Sequence, residues 1–431
     1  MNVFKEIGDE IEAAWRRNDY DEAIFPTLAA DALKRAEIPS RTSVWSVVEW
    51  CLEQIELPRQ RDVHASFGDP PVTVYSGPRF HIDIYFWFEG TTAIHQHGFC
   101  GAFQVMHGSS IHSWYEFKLG RSVNTFAEVG EMSLKNCELL QVGDVQQILG
   151  GRAYIHSLFH LDQPSATIVV RTDRSPLDLP QYSYYKPNLA IDPFFEQETI
   201  TKKTQLAAAL IRAKNPDADR IIGNWLADCD FQTTFNLLQS LRHLLRSNQI
   251  DELFRLTEPE SRFEKYLKIA EEHHGVDVFR PVFRHQEMLD DILKRRALAT
   301  EPDLRFFLAL LLNIEGRERI FDLLKQRFPG SEPIDKVLDL VYELANSRIA
   351  GTERSNLLGL DDFGDLDLYV LEQILRGRSG NEIAEAFRLD FGSDPDTSQI
   401  AEKESVIRSA LVFAPLMRDS ALPGRTGLRE S

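Results

Sequence analysis

Between Val72 and Tyr185 the chain breaks into short runs rich in β-branched and aromatic residues: VTVYS, FHIDIYFWFE, TAIHQH, AFQVMHG, SIHSWYEF, ELLQVGDVQQI, AYIHSLFHL and SATIVVRT. Strand side chains alternate between two faces, so runs of this kind must pair edge to edge and bury one face; their number and spacing specify a sandwich or barrel. On either side the apolar period is helical. Phe4, Ile7, Ile11 and Trp15 recur at helical spacing, and the same period runs through SVWSVVEWCLEQIEL, FQTTFNLLQSLRHLLRS, DLRFFLALLLNI, RERIFDLLKQRF and PIDKVLDLVYELANS. The texture switches at Phe67-Gly68-Asp69-Pro70-Pro71 and again after Pro193.

These switches predict an α+β multidomain chain: a helical cap over 1–66, an antiparallel β-barrel over 67–192, an all-α domain over 193–417 and a flexible polar tail over 418–431. A length of 431 residues is more than one hydrophobic core usually organises. The net charge of −18 argues against a nucleic-acid partner, since affinity for phosphate backbones needs clustered Lys and Arg. Four scattered cysteines, Cys51, Cys100, Cys137 and Cys229, match neither a zinc ribbon nor a disulfide framework. The N-terminus is charged, and no apolar stretch reaches the roughly 18 residues of a membrane span. The expectation is a soluble cytoplasmic protein with no membrane contact. The acidic helical region is expected to meet a protein partner or a second copy of the chain.

Eight of the twelve histidines, at 64, 81, 95, 97, 107, 112, 156 and 160, fall in or beside the β-rich segment. His95 and His97 are two apart on one predicted strand, so both imidazoles point to the same face. His156, on a strand after the Gly143-Asp144 turn, is the candidate third ligand. Three imidazoles leave coordination positions open to a small-molecule substrate, whereas structural sites are closed. His160, four residues on and on the same face, is read as a group behind the ligands or a fourth ligand. His107 either lines the pocket with Gly101 and Phe103 or sits on an exposed turn. On FHIDIYFW one face is apolar, and the other carries His81, Asp83, Tyr85 and Trp87, which border either the cavity or the helices. Cys100 is either a thiol near the metal or a small buried hydrophobe.

The stretch from Gly90 through His95, His97 and Gly101 to Gly108 resembles the first cupin motif, and that from Gly143 to His156 and His160 resembles the second. Most cupins carry a glutamate ligand where this chain has Gly101. A three-histidine set of this kind resembles the thiol dioxygenases of the cysteine dioxygenase type. The resemblance implies a cupin barrel and an Fe(II) site, with zinc, nickel and manganese as alternatives, that oxidises a small, thiol-bearing metabolite with dioxygen. Cys100 lies one residue before the position that some of those enzymes crosslink to a tyrosine, so the crosslink is not carried over. Their active-site tyrosine falls near Thr172. Arg79, Arg171 and Tyr182 are the candidates for holding the substrate, and spacing selects none of them. A sensor or interaction module without catalysis, and a metal-dependent isomerase or hydrolase, are the other functions such a barrel supports.

Overall fold

The helical period at the N-terminus becomes α1 (Asn2–Arg16), α2 (Phe25–Ala36), α3 (Ile38–Arg41) and α4 (Val44–Glu53). The computed structural model describes residues 2–61, 63, 67–88, 90, 93–247, 261–348 and 356–417; His64 and the predicted tail at 418–431 lie outside them. The apolar stripe of α1 buries Phe4, Ile7, Ile11 and Trp15, as its spacing requires. Ser43 caps α4, its hydroxyl accepting from the Ser46 amide.

Eleven strands follow among the described residues: β1 (Pro71–Ser76), β2 (Phe80–Trp87), β3 (Ile94–His97), β4 (Gly101–His107), β5 (Ser110–Asn124), β6 (Ala127–Leu140), β7 (Val145–Ile148), β8 (Gly151–His160), β9 (Ser165–Thr172), β10 (Ser183–Tyr185) and β11 (Leu189–Ile191). They form a five-stranded sheet in the order β1-β2-β9-β4-β7 and a closed six-stranded barrel in the order β10-β11-β6-β5-β8-β3. The protein is therefore α+β, with a closed barrel at its centre and helices on both sides in sequence.

Alternation divides the five-stranded sheet cleanly. Phe80, Ile82, Ile84 and Phe86 of β2 and Ala166, Ile168 and Val170 of β9 pack against Phe4, Ile7, Trp15, Phe25 and Leu33 of the N-terminal helices. Burying each large apolar side chain contributes about 1.5–3 kcal/mol, so this seam fixes the strand register. The intervening residues, Asp83, Tyr85 and Trp87 on β2 and Thr167, Val169 and Arg171 on β9, face a cavity.

The closed barrel turns its outer residues Ile94, Ile111, Ile155 and Phe159 into the core of the C-terminal helices, which run from Glu198–Arg212 to Ala414–Met417. Two polar links reinforce that contact. Lys186 pairs with Glu315 at 3.0 Å, and an Arg296 Nη donates to the Leu161 carbonyl at 2.8 Å while the guanidinium lies over the Phe159 ring. Among the described residues, no helix is long and apolar enough to cross a membrane. All four cysteines are free.

Candidate metal centre

β3 and β8 pair antiparallel with His95 directly opposite His156 and His97 opposite Gly151, with a register shift between the two pairs. The Nε2 atoms of His97 and His156 are 2.8 Å apart, and one ring nitrogen from each of His95, His97 and His156 lies within 4.8 Å of the others. Imidazole nitrogens bound to one ion at about 2.1 Å stand about 3 Å apart when adjacent, so the spacing suits a shared cation.

Protonation state and orientation also fit. Burial holds the His95 imidazole down to about 4, only partly opposed by the Ala93 carbonyl. Burial, then the neighbouring imidazoles, push His97 and His156 well below their ordinary value. Three neutral imidazoles at pH 7 are three lone pairs ready for a metal. His95 Nδ1 lies 3.3 Å from the Ala93 carbonyl and His156 Nδ1 lies 3.0 Å from His112 Nε2, which leaves Nε2 of each ring as the donor. A ligating histidine almost always spends its second nitrogen in this way.

His112 is fully buried, with the Tyr154 hydroxyl 3.1 Å from its Nε2 and a Glu138 carboxylate oxygen 3.8 Å from its Nδ1. Sequence spacing gives it no role and puts His160 behind the ligands or among them. His160 instead stacks on Trp87 at 4.4 Å and meets the Ser110 hydroxyl through Nδ1 at 3.1 Å. Among the described residues, no hydrogen bond or ring contact links it to the three-histidine group. The signal for His112 is parity: it is two residues from Trp114, which pairs with His156 across β5 and β8.

The histidines stand in the wall of a cavity of about 700 Å³ between the two sheets. Of the candidate pocket residues, Tyr85, Phe103, Arg171 and His160 line it. The others lie elsewhere. Cys100 is buried on the helix-covered side of the sheet, its Sγ 3.8 Å from the Thr172 hydroxyl. His107 is exposed, because a bulge between Val105 and His107 breaks the parity that would have turned it inward, and its ring faces Trp45. Arg79 is exposed, stacked over Tyr20. Tyr182 is buried away from the cavity, donating to the Thr125 carbonyl at 2.6 Å.

Gly101 has no room for a side chain. A Cβ there would stand 2.0 Å from the Val170 carbonyl oxygen, so the position cannot supply a carboxylate ligand. Asp83 and Trp87 also line the cavity, as the mixed face of β2 allowed; Arg61 and Arg174 join them from loops, where no periodicity could flag them. Burial acts to raise the Asp83 carboxyl, but His81 at 3.2 Å and the Thr73 hydroxyl at 2.7 Å outweigh it and leave the group below its ordinary value.

No family profile matches the chain, and no curated protein sequence does. Among solved structures, one described as the X-ray structure of E. coli ycfD aligns at 14% identity and a TM-score of 0.19, covering 50% of this chain and 52% of that one. The chain thus spans about half the length of that structure. The class defined by fold and site is an α+β barrel protein, compatible with a cupin fold, whose three-histidine group could hold a divalent metal ion.

Proposed function

We propose that the protein is a metal-dependent oxygenase of the non-haem type, in which His95, His97 and His156 hold one divalent ion, Fe(II) by preference, and a small metabolite, thiol-bearing or otherwise anionic, is oxidised in the cavity. The observation that carries this reading is the convergence of three buried or partly buried neutral imidazoles in the wall of a cavity large enough for a metabolite. Bound iron would supply the redox chemistry, with dioxygen as oxidant.

The chain's own residues have distinct tasks. The three Nε2 atoms hold the ion without neutralising it, since none brings a negative charge. The Ala93 carbonyl and His112 keep two of those rings turned inward. Phe67, whose ring contacts His95, Tyr85 and Trp87 at 5.9, 5.9 and 5.0 Å, screens the site from water.

The test is anaerobic purification, reconstitution with Fe(II), and measurement of oxygen uptake on adding thiols and other small metabolites. Substrate-dependent uptake that disappears in His97→Ala supports the reading. Tight zinc binding with no uptake by the iron form would instead favour an isomerase, a hydrolase or a sensor.

A further inference from the structure

Two apolar side chains on interior strands are left incompletely covered. β8 runs between β5 and β3 in the barrel, and β9 runs between β2 and β4 in the sheet. Their neighbours Phe159, Ile168 and Val170, on the opposite faces, are sealed completely, yet Leu158 and Val169 keep partial exposure. Both line the cavity, so that exposure is to its interior.

Phe99, Phe103 and Ile148 complete this end of the cavity. Val169 is the register partner of Phe103 across β9 and β4, and Ile148 lies opposite Gly101 across β7 and β4. The three belong to one hydrophobic cluster, and Leu158 and Val169 pack against it. On its other side Val169 borders Asp83, whose oxygens face Thr73, His81 and Tyr85, and the hydrocarbon surface ends there.

None of the five side chains has a hydrogen-bonding atom. An enclosed water needs two to four polar partners, so a hydrocarbon wall stays dry or takes up an apolar guest, and the gain on binding grows with the apolar area covered. The wall abuts the histidines. Leu158 follows His156 by two residues on the same face of β8, a step of about 7 Å, and the Phe99 ring lies 4.5 Å from that of His97. Volume sets the size of the guest. A cavity of about 700 Å³ is in the range that encloses a drug-sized molecule, and a two- or three-carbon thiol held at the histidines would leave Leu158 and Val169 uncovered.

We infer that Phe99, Phe103, Ile148, Leu158 and Val169 form a subsite for a branched aliphatic or phenyl group, so that the substrate carries a bulky apolar group a few bonds from the atom that meets the histidines and is larger than cysteine. The inference rests on the metal-centre reading for the position of that reacting atom. The apolar subsite itself is independent of the metal.

Calorimetric titration of the zinc-loaded full-length protein with ethanethiol, 3-methylbutane-1-thiol and phenylmethanethiol, under argon, tests it. Each buried methylene strengthens binding about fourfold, so the five-carbon thiol should bind about tenfold or more tighter than ethanethiol. Val169→Phe, which fills the subsite, should load zinc and lose that preference. Leu158→Ala, which widens it, should move the optimum toward phenylmethanethiol. Equal binding of the thiols, no measurable binding of any, or a preference unmoved in either variant overturns the inference. Zinc uptake with equal thiol binding leaves the metal-centre reading standing. Should the protein load no zinc, toluene, which has no metal-binding atom, takes the place of the thiols. Toluene binding that is lost in a cooperatively melting Val169→Phe variant then keeps this inference and removes the metal-centre reading, and no toluene binding overturns both.

Discussion

His112 Nε2 stands 3.0 Å from His156 Nδ1, and on its far side His112 Nδ1 faces a Glu138 oxygen at 3.8 Å. The line from carboxylate to imidazole to imidazole ends at the three-histidine group. Where a metal takes the His156 Nε2 lone pair, the proton on His156 Nδ1 is donated to His112 Nε2 and the His112 proton sits on Nδ1, 3.8 Å from the Glu138 oxygen. That tautomer presents the His156 Nε2 lone pair to the cavity.

Replacing His112 by Phe keeps a ring of similar size in a buried slot but removes the acceptor. Affinity for zinc or cobalt should fall about 10–100-fold, as for other groups that orient metal-bound histidines. Competition with a coloured chelator measures it, and the visible spectrum of the Co(II) form should shift. An unchanged affinity and spectrum would show that His112 is only packing.

Single alanine substitutions at His95, His97 and His156 should each abolish stoichiometric metal, whereas His160→Ala should keep it. Elemental analysis of untagged protein decides this. Metal lost on His160→Ala and kept on His95→Ala would displace the proposed ligand set.

Acid should act in two ways. Burial holds His160 down to about 3, against about 6.5 for a free imidazole. The unfolded chain therefore takes up that proton first, so the stability linked to neutral His160 is complete above about pH 6.5 and declines as pH falls toward 3. The unfolding free energy of the metal-free protein, from urea titrations, should drop between pH 7 and 4 by up to ~1.4 kcal/mol per pH unit for this group, and less steeply in His160→Gln. His95, held to about 4, competes weakly with protons for a metal, so zinc should stay bound at pH 5.5.

Gly101→Ala should destabilise the protein by about 1–3 kcal/mol, because its methyl group meets the Val170 carbonyl and the sheet must part to admit it. Gly101→Glu should fail to add a fourth ligand for the same reason. Thermal melting of the alanine variant is the check, and an unchanged midpoint would mean that the two strands separate at little cost.

The order of helices, strands and helices was legible because the apolar period changes from 3.6 to 2 and back, and the core seams follow those periods. His95 and His97 were legible as a pair for the same reason. His156 joins them through strand pairing, which spacing alone does not specify. His107 was misleading because one extra residue in β4 reverses every side chain beyond it, and bulges leave little trace in a single sequence. Arg171 was visible only as one of three candidates. Its place beside Tyr85 and Asp83 is a property of the folded cavity, set by the pairing of β2 with β9.

The five-stranded sheet keeps its two duties on opposite sides: even-numbered residues of β2 and β9 grip the N-terminal helices, and Asp83, Tyr85, Trp87, Thr167, Val169 and Arg171 line the cavity. Selectivity can thus drift from one member of a lineage to another by exchange at 83, 85, 87, 167 or 171 with the scaffold left standing. A truncation that strips away α1 and α2 would leave the cavity-lining side chains in place on a wall whose rear is bare oil, prone to clump before anything could bind in front of it.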